Sequence, residues 1–165
     1  MFVINDELTL RPETTMGSYE YARHILNTHN DVKQKLPVVV WQHGKSFRNE
    51  QDKVSKNMRL KEFYQLQYQI IYSANTSNDY HTLVVDIVKN ILSIHFDVRT
   101  ILSDRLPDYS EKTTDIEMVD CGMEICSISQ RKDFYTYNPQ GLKEYHKVVE
   151  VAIGTDRLLY NFYKE

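Results

Sequence analysis

The chain is poor in the residues that loosen or cross-link a fold. Five glycines and four prolines in 165 residues leave no stretch for a flexible linker. Cys121 and Cys126 are the only cysteines. Two are too few for a disulfide framework, so free thiols and a cytosolic setting are expected. The longest apolar run, Leu36 to Trp41, is interrupted by Pro37 and cannot span a bilayer. The first ten residues lack a basic segment followed by an apolar run, so no secretory signal is expected. Charge does not lean basic either. Lys and Arg number 20 against 23 Asp and Glu, a net charge of −3, which argues against a general nucleic-acid binder.

What is present suits one soluble domain over residues 1–165. Hydrophobic residues make up 41% of the chain, enough for a packed core. The twelve tyrosines favour half-buried strands and interfaces. Leu8 to Arg11 reads as extended. Tyr19, Ala22 and Leu26 fall at helical spacing, which predicts a helix over Gly17 to Leu26. Leu36 to His43, continuing to Phe47, and Arg59 to Tyr72 read as two strands of an antiparallel hairpin. A helix is predicted over Asp79 to Phe96, with Asn78 as N-cap and an apolar face on Leu83, Ile87 and Ile91, flanked by Val84, Val88 and Leu92. Asp97 to Leu106 reads as a continuation of helix, and Asp108 to Thr114 as a polar loop. Ile116 to Ser129 reads as a strand. A turn is predicted near Asn138 to Gly141, a strand over Tyr145 to Ile153 and a helix over Thr155 to Tyr163. Strands adjacent in sequence favour an α+β fold, an antiparallel sheet with helices packed on one side.

Some residues carry chemistry without any family in mind. Arg48 ends one hairpin strand, and Arg59 and Lys61 begin the other. Converging on one face, they could bind phosphate, with a neighbouring aromatic free to stack on a base. Gly154-Thr155-Asp156-Arg157 puts an arginine in the first turn of a helix. By spacing alone, solvated surface charges account for these residues better. Cys121, Cys126, His43, His81, His95 and His146 show no CxxC or HExxH spacing, which argues against zinc. Cys126 and Trp41 read as core.

Five segments, in order, resemble the glycyl-tRNA synthetase type of class II aminoacyl-tRNA synthetase. They are Leu10 to Gly17, Lys35 to Pro37 with Gln42 to Glu50, Arg59 to Phe63, Gly122 to Phe134, and Val149 to Leu158. The Arg48 to Phe63 interval is similar to class II motif 2, and Val149 to Leu158 to motif 3. The resemblance implies ATP and Mg²⁺ as cofactors and aminoacyl-adenylate formation as the reaction. Arg48 and Arg157 would be its catalytic arginines, Arg48 on the α-phosphate and Arg157 at adenine or the γ-phosphate. Phe63 would stack on adenine, with Glu50 near it and Arg59 near the outer phosphates. Glu13, Gln67, Arg131, Glu150 and Ala152 would line the amino-acid pocket, and Glu124 and Glu150 would lie near magnesium or that pocket.

Departures accompany the match. Gln67 stands where the family has a glutamate that contacts the substrate ammonium, and Ala152 where it has a serine. No counterpart of motif 1 or of an anticodon-binding domain is found in these residues. The resemblance therefore implies activation of an amino acid or related small carboxylate, with transfer to tRNA or another acceptor. The alternative is a non-catalytic accessory module. A homodimer without membrane attachment is expected.

Overall fold

The computed structural model of the chain describes residues 2–49, 59–103, 106 and 108–163. A two-stranded ribbon, β1 (Phe2–Val3) with β2 (Thr9–Leu10), leads into α1 (Thr15–Thr28) and a short α2 (Asn30–Lys33). Then follow β3 (Val38–Phe47), β4 (Glu62–Ser73), α3 (Tyr80–Leu92), β5 (Val98–Leu102), β6 (Ser110–Met118), β7 (Glu124–Tyr137), β8 (Lys143–Gly154) and α4 (Thr155–Phe162). The last six strands form one sheet in the order β3-β4-β8-β7-β6-β5, with every neighbouring pair antiparallel. The expected hairpin is its β3–β4 edge, with Val38 opposite Ile71 and Phe47 opposite Glu62.

Alternation along the strands assigns each residue to a face. On one face Val40, Ile71, Val148 and Phe134 pack under Tyr19, Ala22 and Leu26 of α1. On the other, Tyr72, Ile116, Cys126, Ile128, Val149 and Val151 pack against Val85 and Leu92 of α3, with Leu158 of α4 beside them. Helices therefore cover both faces, which corrects the one-sided packing expected. The sheet is apolar on both sides wherever a helix crosses it, and neither face could be left to water.

Four local expectations also change. Val98 to Leu102 is a strand, not a helix, paired with β6 from Val98–Met118 to Leu102–Thr114. Its β-branched residues suit an edge strand, while α3 stops at Leu92 and is capped at Ser93. The segment read as a polar loop is partly the start of β6, whose Ser110, Thr113 and Thr114 are buried. The strand read over Ile116 to Ser129 is two strands, joined by a tight turn where Gly122 adopts φ 65°, a conformation that suits glycine. The N-cap of α3 is Asp79, not Asn78. Its carboxylate accepts from the Thr82 amide at 3.0 Å and the Thr82 hydroxyl at 2.7 Å.

Two apolar assignments reverse as well. Trp41 is 63% exposed, because Val40 takes the core-facing position and the other face of edge strand β3 has no cover there. On α3 the stripe Leu83, Ile87 and Ile91 points outward, while the flanking Val84, Val88 and Leu92 pack on the core as expected, together with His81 and Val85. Cys126 is fully buried, as expected of packing, and Cys121 is exposed. No helix among the described residues is long and apolar enough to cross a membrane.

Candidate active site

Beyond the reach of α1, the same face of the sheet opens into a cleft of about 510 Å³. Its floor is polar because the inward positions of four strands carry polar side chains, with Ala152 the one exception across two rows. Across β4, β8, β7 and β6 one row reads Gln67, Ala152, Ser127 and Asp115. The Ser127 hydroxyl donates to Asp115 at 2.6 Å. The next row holds Gln69, Glu150, Ser129 and Thr113.

One end of the cleft is cationic and aromatic. Arg48, Arg59, Phe63 and Arg157 all line it. The Arg48 guanidinium lies 5.2 Å from the Phe63 ring centroid, and its Nε donates to the Pro12 carbonyl at 3.4 Å. The β3–β4 hairpin sets this geometry. The Arg48 amide donates to the Lys61 carbonyl at 2.9 Å, carrying the pairing one step past the strand ends. Arg157 comes from the first turn of α4. It donates to the Glu124 carbonyl at 2.5 Å and lies 3.7 Å from the Glu124 carboxylate. Asp156 beside it also lines the cleft and accepts from the Tyr64 amide at 2.5 Å, tying the start of α4 to β4. Desolvation raises the pKa of Glu124, and the Arg157 charge opposes that rise.

The other end is a closed polar box. Glu150 is 6% exposed. It accepts from the Tyr19 hydroxyl at 3.1 Å and meets Arg131 at 3.5 Å. Burial raises its pKa, and the Arg131 charge counters this. Arg131 is held between two rings, 4.0 Å from the Tyr109 centroid and 5.0 Å from that of Tyr19. Glu13 lines the cleft close enough to raise the Tyr109 and Glu150 pKa values through its charge. Gln67 is buried, and its carbonyl oxygen accepts from Thr14 Oγ1 at 2.5 Å and Thr15 Oγ1 at 3.2 Å.

The structure thus brings Arg48, Arg59, Phe63, Arg157 and Glu124 to one end, and Glu13, Gln67, Arg131, Glu150 and Ala152 towards the other. It does not bring Glu124 and Glu150 together. Glu150 faces Ser129, five positions along β7 from Glu124, roughly 17 Å at strand rise. One ion cannot bridge them, and Glu150 is already engaged by Arg131 and Tyr19. Glu50 lies outside the described residues. Sequence reasoning missed Tyr109, Tyr19, Asp115 and Ser127. Tyr19, Tyr109 and Asp115 sit outside the resembling segments, Ser127 lies within one but carries no role there, and Tyr19 meets Glu150 across 131 residues of chain.

A family model for the tRNA synthetase class II core domain (G, H, P, S and T) matches residues 3–162. The chain belongs to the class II tRNA synthetase core family. This class II core is 30% identical over 173 aligned positions to the glycine–tRNA ligase of Mycoplasma capricolum subsp. capricolum, covering 91% of this chain and 37% of that protein. Against the glycine–tRNA ligase of Bacillus anthracis it is 27% identical, covering 95% and 38%. Among solved structures, Giardia lamblia prolyl-tRNA synthetase in complex with prolyl-adenylate superposes with a TM-score of 0.69 at 18% identity, over 96% of this chain and 35% of that one. Desulfitobacterium hafniense PylSc, a pyrrolysyl tRNA synthetase, gives 0.62 at 17% identity, over 92% and 49%. At such identities these two likenesses speak for the fold. The chain spans a little over a third of the length of the curated relatives it matches.

Proposed function

We propose that this class II core binds ATP with magnesium and activates an amino acid or related small carboxylate as an adenylate, for transfer to tRNA or another acceptor. The observation that carries the reading is Arg48 against Phe63 with Arg157 lining the same cleft. In the reaction a carboxylate oxygen attacks the α-phosphorus, the new O–P bond forms, and the bond to the β-phosphate oxygen breaks to release pyrophosphate. No proton has to move, so positioning and charge neutralisation carry the rate. In this reading Arg48 holds the α-phosphate, Phe63 and Arg157 enclose the adenine end, and Arg59 meets the outer phosphates. Glu50 is assigned near adenine on the family resemblance alone.

Magnesium, when bound, would neutralise phosphate charge and help align the phosphates. Among the described residues no group of three or more His, Cys, Asp or Glu forms a metal cage. Magnesium on nucleotides commonly takes only one or two carboxylates, with phosphates and water supplying the rest. Glu124 fits that mode: it lines the cleft on the arginine side, with Asp115 close enough to raise its pKa. Glu150 fits the amino-acid pocket instead, with Glu13, Arg131 and Gln67.

ATP–pyrophosphate exchange over a panel of amino acids tests the activity, and exchange with any one of them carries it. A second reading, a non-catalytic binding module, is favoured by Gln67 and Ala152. Gln67 lacks the family's charge and Ala152 the family's hydroxyl, and Gln67 already accepts from Thr14 and Thr15. Mg-ATP binding without exchange for any amino acid would favour it. Self-association as a homodimer belongs to either reading, and the free thiols fit a reducing compartment such as the cytosol.

A further inference from the structure

The far end of the β7–β8 hairpin projects beyond the sheet. The last β6 partner of β7 is at Arg131, and the last β4 partner of β8 is at His146. Past those points Phe134 to Tyr137 pairs only with Lys143 to His146, closed by a turn in which Asn138 Oδ1 accepts from the amides of Gln140 and Leu142. One face of this ribbon, with Phe134, Thr136 and His146, is buried towards α1. The other carries Tyr135, Tyr137, Tyr145 and Lys143. This is the face opposite the cleft, and no helix among the described residues covers it. Tyr137 is 43% and Tyr145 56% exposed.

The rings form a cluster rather than scattered singles. The Tyr135 centroid lies 5.6 Å from that of Tyr137 and 5.9 Å from that of Tyr145. Two cations sit on it: Lys143 Nζ at 4.2 Å from the Tyr135 centroid, and the Arg23 guanidinium at 5.5 Å. Arg23 is also paired with Glu20. The same sheet face continues to Lys147, which lines a groove with Tyr72, Lys112 and the residues before α3. Asp79 and Glu111 line that groove too, Asp79 with its carboxylate engaged by Thr82. Glu144 points to the other face and is bound to Lys33.

We propose that this ribbon face is a binding site for a short stretch of single-stranded nucleic acid, with bases stacked on Tyr137 and Tyr145 and phosphates met by Lys143 and Lys147. Exposed rings beside flexible cations match that ligand on both counts, since every base offers a face to stack and every linkage a negative charge. A purely apolar protein partner would leave Lys143 and Lys147 without counter-charges. The chain's net charge of −3 means that attraction is local, so binding should be weak and salt-sensitive.

Fluorescence anisotropy with labelled oligouridylate and oligodeoxythymidylate of about eight nucleotides, near 50 mM salt, tests this. Saturable binding is expected. Tyr137→Ala with Tyr145→Ala removes both stacking rings and should weaken it about 30-fold or more. The two Phe replacements should keep it within about twofold, because the stacking rings remain. Lys143→Gln should reduce the log–log salt slope by about 0.7. RNA binding tighter than DNA would assign the site to RNA, and equal binding to single strands of either kind. The proposal is overturned if no saturable binding occurs, if the double Ala variant binds like the parent, or if a duplex of the same sequence binds as well. Because the ribbon lies on the face opposite the cleft, failure of ATP binding there leaves this test intact.

Discussion

Arg48 is exposed and bound to the rest of the chain mainly by one long hydrogen bond and a ring contact. Removing its side chain should therefore cost little stability. A charge-assisted contact to phosphate is worth about 1.5–3 kcal/mol, so Arg48→Ala should weaken Mg-ATP binding about 10- to 150-fold in calorimetric titration. Undetectable binding by the parent, or equal binding by the variant, would remove the nucleotide from the proposed function. Gln67 makes the complementary case. Its oxygen accepts from two threonines, and a carboxylate could accept from the same two. Gln67→Glu should then fold normally and raise glycine-dependent ATP–pyrophosphate exchange, if a lost charge is what separates this pocket from its relatives. Unchanged exchange would place the difference elsewhere, with Ala152 the next residue to restore. The two cysteines should differ sharply. Burial pushes the Cys126 thiol far up, while Cys121 is exposed. A disulfide reagent near pH 8 should modify one thiol in the native protein and both in denaturant, because only an accessible thiolate reacts.

Edges and faces decide the elements. β3 places Val40 inward and Trp41 outward, although a single tryptophan in an apolar run reads as core. Its neighbour β4 has Ile71 completely buried beneath α1. Ile71→Ala should lower unfolding stability by about 2–5 kcal/mol, whereas Trp41→Ala should stay within about 0.5 kcal/mol. Comparable losses in urea melts would mean that Trp41 is covered in solution. The errors over Asp97 to Thr114 arise from the same source. Val98 to Leu102 and Ser110 to Met118 carry mixed polar and apolar residues because one face of each lines the cleft side of the sheet. Periodicity reads that mixture as helix or loop when the partner strand is unknown. By contrast, α1 is buried at Thr15, Ser18, Tyr19, Ala22 and Leu26, a spacing that only one periodicity explains.

At the scale of the whole molecule, α3 carries apolar residues on its solvent side as well as on its buried side, beside a polar stripe of Thr82, Asp86 and Asn90. Leu83, Ile87, Ile91 and Ile94 point to solvent with exposures of 47% to 70%, and edge strand β5 ends on Leu102, 73% exposed. An open strand edge and an apolar helix face both favour association. Light scattering should give a homodimer at high micromolar concentration, and a monomer there would count against it. The sequence by itself determined the family, the antiparallel hairpin, the last strand and helix, and the arginines and phenylalanine of the proposed nucleotide end. Those features are local: a motif fixes its residues at short range, and strand or helix follows from the same few positions. Only the tertiary structure decided which face each residue takes. It separated Glu124 from Glu150 by five strand positions and joined Tyr19 to Glu150 across 131 residues. It also left Trp41 and the α3 stripe in water. Such outcomes depend on strand order and on which helix lies over which strand, and a linear pattern of polarity does not contain that information.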